Sequence, residues 1–501
     1  RYDKTAKLRR GEREYGNAYK VCNENWKSIH PSGRITEEML STGLNIPDIS
    51  VSEDIYYNSK AGKYKTDAMK NFHNLYVKKH LINGVSKQGD TLIDFACGKA
   101  GDLPKWISSK LSFVFGVDIS KDNLENRLDG ACARYLNMKK SNKNVPYALF
   151  VNGNSSLNIK NGNGMLNDKA KQITAAVFGN GPKEADKIGR GVARQYGKGD
   201  GGFNVSSCQF AIHYFFENPD TLRGFMKNIA ECTKLNGYFI GTSYDGKLLF
   251  NELKRFKTGE SLEITDDDKK LCVITKGYGS DSFDDDSGSI GYRVDVYQES
   301  INQTLTEYLV NFDYLDRVMD AYGFKIASRE EANDFGLPEG SGLFSELFMN
   351  MLDEIAKNKF KARDYEQAPY MTVPEKKISF LNRYFVYKKI REVNTEKVEI
   401  EIGEYEEALQ VRDTYDTKVA IEVAKEETKI KPRAKKLSKK LLLMAATEAI
   451  EEPSDAALVE KEMIKEKEKK DGKKDGKKDG KKDGKEKQSK KLLVVESDEE
   501  D

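Results

Sequence analysis

The chain has 501 residues, room for two to four domains at ~100–200 residues each. Charged residues make up 33% and hydrophobic ones 38%, against about 25% and 45–50% in compact domains, and the surplus charge gathers toward the carboxy end. Six scattered cysteines without a C-x-x-C pair, four histidines and no apolar run near the ~18 residues of a membrane span argue against a zinc site, a disulfide framework and a membrane role. They fit a reducing, intracellular setting.

Residues 1–60 are polar with a few apolar anchors (Tyr15, Tyr19, Trp26) and read as a lead-in of short helices. A helical pattern follows from Lys65 to Gly84. Short apolar runs then read as strands: Thr91 to Phe95, Phe113 to Asp118, Tyr147 to Val151, Val205 to Phe210 and Gly237 to Gly241, with helices over Lys121 to Met138 and Pro219 to Leu235. This alternation predicts an α/β fold built on a parallel sheet wound on both sides. Asn152 to Phe203, rich in Gly, Asn and Lys, is too long for a plain connection and predicts a helix near Ala170 to Ala176 among surface loops. Next come a Gly/Asp/Ser loop (Gly277 to Gly288), a strand over Gly291 to Glu299, a helix over Thr306 to Ala321 and a last strand over Arg383 to Tyr387.

Beyond Val393 the composition changes. From Lys461 to Lys490 there are 14 Lys against 8 Asp+Glu, net +6, and Lys491 to Asp501 is net −4. Neither block can bury a core, so residues 394–501 read as a charged, largely disordered tail with Lys-Lys-Asp-Gly repeats.

The sharpest local signal is Leu92-Ile-Asp-Phe-Ala-Cys-Gly-Lys-Ala-Gly-Asp102. A strand that ends in a small-residue turn opening a helix sets backbone N–H groups beside a ligand lying across the strand tips. Asp118 closes the second strand, where a carboxylate can accept both hydroxyls of a ribose. The dinucleotide fingerprint G-x-G-x-x-G is absent from this turn, whose glycines are Gly98 and Gly101 only. Asp94 and Asp102 flank the turn, which would repel a pyrophosphate and suit the ammonium of an amino-acid-bearing nucleoside.

Ser207-Cys-Gln-Phe-Ala-Ile-His-Tyr-Phe-Phe-Glu217 follows the fourth strand. It resembles the Ser-Cys-Gln-Phe-x-x-His-Tyr-x-Phe-Glu hallmark of the messenger-RNA cap guanine-N7 methyltransferases. Asp94 to Trp106 (DFACGKAGDLPKW) is similar to their cofactor loop, usually Asp-Leu-Gly-Cys-Gly-Lys-Gly-Gly-Asp-Leu-x-Lys-Trp. The spelling, the long insertion and Asn154-Ser-Ser in place of Asp-Ser-Ser are most similar to the capping enzymes of large DNA viruses of eukaryotes. The resemblance implies a doubly wound Rossmann-like S-adenosylmethionine-dependent methyltransferase sheet with insertions, spanning residues 61–393.

Residue by residue, the resemblance puts Lys78, or Lys79 one register on, at the methionine carboxylate of S-adenosylmethionine. Gly98 passes under the cofactor beside Asp94, Asp118 holds the ribose and Gln209 touches the methionine end. Asn154 replaces the aspartate that binds the adenine amine, its amide oxygen accepting the same hydrogen bond. His213 and Tyr214 line the guanine pocket, Glu307, read here on a helix, accepts from the guanine N1 and N2 hydrogens, and Tyr384 forms an aromatic wall. The substrate implied is the capped or guanylylated 5′ end of mRNA, in the host cytoplasm (a viral factory) or in the virion. Guanine N7 has a free lone pair and no proton to lose, so in-line attack on a sulfonium methyl calls for no general base and no metal, only alignment and electrostatics.

Two other readings stay open at this point: the same cofactor with another acceptor, such as the cap ribose 2′-hydroxyl or a protein side chain, and a non-catalytic RNA-binding capping subunit. Lys473-Lys-Asp-Gly476 fits the Lys-x-Asp-Gly signature of guanylyltransferases, but it recurs every fourth residue in a hydrophilic tract and reads as composition. Arg1-Tyr-Asp-Lys-Thr5 resembles the end of the last motif of a guanylyltransferase oligonucleotide-binding-fold domain. The expectation is therefore a carboxy-terminal part of a multifunctional capping enzyme, with guanylyltransferase and triphosphatase activities fused upstream, that does not itself form a GMP adduct.

Overall fold

The computed structural model describes residues 65–403; the lead-in, the Arg1 to Thr5 motif and the lysine-rich repeats lie outside them. The helical pattern from Lys65 forms as Asp67–Asn71, a π-helical turn Phe72–Val77 and Lys78–Val85. The strands, in chain order, are β1 (Thr91–Asp94), β2 (Phe113–Asp118), β3 (Tyr147–Asn152), β4 (Phe203–Gln209), β5 (Thr233–Tyr244), β6 (Ser261–Asp266), β7 (Lys269–Lys276), β8 (Arg293–Gln298), β9 (Gln303–Tyr308), β10 (Phe324–Ile326), β11 (Ser341–Leu343) and β12 (Asn382–Lys389).

The main sheet runs β10-β12-β5-β4-β1-β2-β3, with β11 also on β12. β1 to β5 are parallel and β12 is antiparallel to β5. β1 and β2 are buried at every position, as strands covered on both faces must be. Their side chains alternate between two cores: Leu92, Val114, Val205 and Ile240 on one face, and Ile93, Phe113, Phe115 and Phe239 on the other. The helix Pro219–Cys232 shows how sequence sets such packing. Asn218, just ahead of Pro219, and Thr221 form a capping box, and Leu222, Phe225, Met226 and Ile229 make the buried stripe; each such side chain contributes ~1.5–3 kcal/mol.

Two expected helices differ. Lys121 to Met138 splits into Lys121–Glu125 and Ala131–Ser141, because the chain doubles back at Gly130, where a Cβ would stand 2.6 Å from the Asn126 nitrogen. The helix expected over Thr306 to Ala321 begins only at Phe312, after Asn311 caps it through the Asp313 and Tyr314 N–H groups. Thr304, Thr306 and Glu307 are strand residues of β9 instead, in keeping with the extended preference of β-branched side chains.

β6 to β9 form a separate four-stranded antiparallel sheet. β6 and β7 were not expected from the sequence, although Leu262 and Ile264 alternate with polar residues just before the Asp266 to Asp268 turn. This sheet follows β5 and approaches the β4 tip, where the Gly291 N–H donates to the Phe216 carbonyl at 2.9 Å. Among the described residues no helix is long and apolar enough to cross a membrane.

Candidate active site

The carboxy-terminal tips of β1, β2 and β4 lie side by side: Asp94 pairs in register with Gly116 and Ser207. The turn after β1 packs on β2 at Gly116, where a Cβ would stand 2.9 Å from the Cys97 Sγ. Gly98 takes φ 51°, a left-handed backbone suited to glycine, and its N–H donates to Asp118 Oδ2 at 2.7 Å. Asp118 Oδ1 accepts from the Ser120 N–H at 2.9 Å and the Asn123 side chain at 3.1 Å. Burial raises the Asp118 pKa while these donors oppose the rise. The residue expected to hold a ribose is thus also the brace between the β2 tip and the cofactor turn.

Asp94 is buried with one hydrogen bond, from the Ala96 N–H at 3.3 Å. Burial, and then the charge of Asp102, push its carboxyl up to about 8. Asp102 is held differently: burial works against its charge, but Lys105 at 2.8 Å and Lys78 at 3.1 Å overrule it and keep the carboxyl well below the usual range. The two acids flanking the turn therefore divide. Asp102 is neutralised by lysines, and Asp94 is the carboxylate that still calls for a cation. Lys78 rather than Lys79 points at the turn, its ammonium also 5.7 Å from the centre of the Phe210 ring.

Gln209 ends β4, its amide nitrogen donating to Ser207 Oγ at 3.3 Å and its oxygen accepting from Thr242 Oγ1 at 3.2 Å. The chain then turns sharply, with Phe210 at φ 55°, a conformation costing a bulky residue about 1–2 kcal/mol and characteristic of sites. A 3-10 helix, Ile212–Phe216, carries His213 and Tyr214, their ring centres 4.2 Å apart and edge to face.

Glu307 reaches the same place from β9. His213 Nε2 lies 3.7 Å from Glu307 Oε2, beyond hydrogen-bonding distance. Both His213 nitrogens and Glu307 Oε2 are buried without a hydrogen-bond partner among the described residues. Burial alone raises the Glu307 carboxyl to about 8 and lowers His213 to about 3. Leaving such groups unpaired costs about 1–3 kcal/mol each, an expense usual where a ligand completes the set.

At two expected site residues the side chain is engaged within the protein. Tyr384 shares a row of the sheet with Gln209, each pairing with Thr242. Yet it is fully buried and donates its hydroxyl to the Glu339 carbonyl at 3.0 Å, contacts that belong to the framework of the sheet. Asn154 follows β3, beside the cofactor turn, since Ser155 Oγ donates to the Phe95 carbonyl at 2.7 Å. Its side-chain oxygen, expected to face adenine, accepts instead from the Ser156 N–H at 2.9 Å and hydroxyl at 2.7 Å. Phe210 and Thr242 were not singled out from the sequence; their signal is position, directly after and directly beside Gln209.

The strand order, its antiparallel last strand and the acid-flanked first turn define the class: a Rossmann-like S-adenosylmethionine-dependent methyltransferase. Residues 57–390 match the mRNA (guanine-N(7))-methyltransferase domain, and the chain belongs to that family. It is similar to the "Probable mRNA-capping enzyme" of Acanthamoeba polyphaga mimivirus, 28% identical over 79% of this chain and 34% of that protein. It is also similar to the mRNA cap guanine-N(7) methyltransferases of Saccharomyces cerevisiae, 26% identical over 54% of each chain, and Candida glabrata, 23% identical over 72% of this chain and 76% of the other. The chain thus spans about a third of the mimivirus relative and about half of the yeast one.

Proposed function

We propose that this chain transfers a methyl group from S-adenosylmethionine to guanine N7 of the 5′ cap of mRNA. The observation that carries this reading is the unpartnered His213 and Glu307 pair buried beyond the β4 tip. Guanine presents two N–H donors, at N1 and N2, next to the O6 acceptor. A carboxylate oxygen and an imidazole N–H are the complementary set, and family membership supports the same pairing.

The protein groups fit the cofactor as well. Lys78 offers a cation to a carboxylate, Asp94 a buried carboxylate to an ammonium, Asp118 an acceptor to ribose hydroxyls, and the Gly98 turn a backbone floor. S-adenosylmethionine supplies the electrophilic methyl on a sulfonium. The chain's own work is to align and to exclude water. Gln209 and Phe210 join the cofactor turn to the guanine pocket within five residues of His213, so the methionine end and the purine are held by one rigid strand tip. Positioning of this kind supplies several orders of magnitude in rate. Glu307 draws electron density onto guanine through N1 and N2, and Tyr214 offers a ring face to a purine that becomes cationic. No proton leaves N7, so neither His213 nor Glu307 is needed as a base.

Within this proposal the partner is a capped or guanylylated RNA 5′ end, and the chain acts as the methylating part of a multifunctional capping enzyme, in the host cytoplasm or the virion. The similarity to a probable mRNA-capping enzyme of a mimivirus supports the capping role. Incubating the chain with GpppA-capped RNA and methyl-labelled cofactor tests it: label at guanine N7 is expected, and label at a ribose hydroxyl or on protein alone would overturn it.

A further inference from the structure

The adenine end of the site departs from the expected chemistry at one residue. The Ser156 N–H can only donate, so the Asn154 side-chain atom 2.9 Å away must be the carbonyl oxygen. The Ser156 hydroxyl, at 2.7 Å, takes up the second lone pair of the same oxygen. Among the described residues the Asn154 amide nitrogen has no hydrogen-bond partner, and the residue is half-buried. An aspartate in this turn would keep one oxygen on the Ser156 N–H and present the other outward as an acceptor. With asparagine the atom left over is an NH2, a donor.

The turn itself is firmly placed. Ser155 Oγ is bound to the Phe95 carbonyl at the β1 tip, and the Asn154 N–H donates to the Gly164 carbonyl at 2.7 Å. Asn152, two residues earlier, donates its side-chain amide to the Asp118 and Ile119 carbonyls at 3.1 and 2.8 Å. A nucleoside whose ribose lies on Asp118 therefore carries its base toward this turn, past the exposed side chain of Ile119.

We propose that Asn154 makes this chain read the adenine of its cofactor with a donor: its amide N–H bonds the ring nitrogen N1, and the 6-amino group contributes nothing to affinity. The inference rests on the cofactor reading above. It predicts that the site accepts a purine cofactor lacking the 6-amino group, which a carboxylate at this position would bind several-fold more weakly.

The test is a calorimetric titration of the full chain with S-adenosylhomocysteine and with its 6-deamino analogue, in the unaltered protein and in Asn154→Asp. The unaltered chain is expected to bind both within about twofold, and Asn154→Asp to prefer the 6-amino compound by about fivefold, the worth of one hydrogen bond. A fivefold or greater loss for the 6-deamino analogue in the unaltered chain would overturn the inference while leaving the cofactor assignment standing. No binding of S-adenosylhomocysteine by the unaltered chain would overturn the cofactor assignment and this inference with it. Equal binding of both compounds by Asn154→Asp would show that residue 154 does not face the 6-position, and would also overturn it.

Discussion

His213 Nε2 and Glu307 Oε2 face each other at 3.7 Å, buried and without a hydrogen bond, although one comes from the β4 tip and the other from a separate sheet. Burial holds Glu307 up to about 8, so it keeps its proton at neutral pH until donors arrive. On the proposed function, guanine binding favours the carboxylate and expels that proton. Cap affinity is therefore expected to rise between pH 6 and 8 and to level off above. His213, held down to about 3, stays neutral throughout and adds no opposing slope. In Glu307→Gln the slope should vanish and affinity fall by about 1–3 kcal/mol, with S-adenosylmethionine affinity unchanged. Cap-dinucleotide titrations across that range check it; a slope surviving in the Gln variant would place the titrating group elsewhere.

Asp94 makes a parallel case on the cofactor side. Its carboxyl is pushed up to about 8 by burial and then by Asp102, so below that pH it is largely protonated in the free protein. An ammonium beside it stabilises the carboxylate, which couples cofactor binding to loss of one proton. Affinity for S-adenosylmethionine should then climb by up to about tenfold per pH unit below 8. Asp94→Asn should bind more weakly and without that dependence. Calorimetry in two buffers of different ionisation enthalpy counts the proton directly; none released at pH 7 would remove Asp94 from the ammonium.

Ala100 sits in the same turn at φ 53°, where the usual cofactor loop has glycine. The left-handed conformation costs an alanine about 1–2 kcal/mol, and glycine gives back roughly 0.5–1 kcal/mol in chain entropy. Ala100→Gly should accordingly stabilise the fold by about 0.5–1 kcal/mol without changing the cofactor turn, and Ala100→Val should destabilise it. Urea midpoints of the three proteins decide; a less stable glycine variant would mean the turn owes its stability to the Ala100 methyl, which is buried.

How much of this was legible beforehand differs by layer. The five parallel strands were readable because strands covered on both faces are unbroken apolar runs such as Phe113–Asp118, and Asp94, Gly98, Asp118, Gln209 and His213 lie at or just beyond the tips of those strands. Glu307 was singled out but set on a helix, since Thr-Leu-Thr-Glu-Tyr-Leu-Val fits either period and only the Asn311 cap marks where helix begins. The polarity of Asn154 was not legible at all: which side-chain atom points outward depends on the Ser156 N–H, a fact of backbone geometry. Tyr384 illustrates a different difficulty. Arg383 to Tyr387 was read as a strand, but which of its aromatics face solvent depends on β11 covering β12, a pairing that three residues, Ser341–Leu343, do not advertise.

That covering makes Tyr384 a sharp test of where the site ends. Its ring is fully buried between neighbours of the main core and its hydroxyl has one partner, the Glu339 carbonyl at 3.0 Å. Tyr384→Phe should cost about 1 kcal/mol in stability, one hydrogen bond, and Tyr384→Ala about 3–5 kcal/mol through the cavity it leaves. Neither loss involves a ligand, so the Phe variant should methylate capped RNA with unchanged KM and kcat at temperatures where it is folded. Were Tyr384 instead a wall of the guanine pocket, removing only the hydroxyl would still spare stacking, but Tyr384→Leu would raise KM for the cap out of proportion to its loss of stability. Denaturant melts set beside cap-dependent kinetics for the Phe and Leu variants separate the two: stability falling with KM constant in both keeps Tyr384 in the framework, and a KM rise in the folded Leu variant returns it to the pocket.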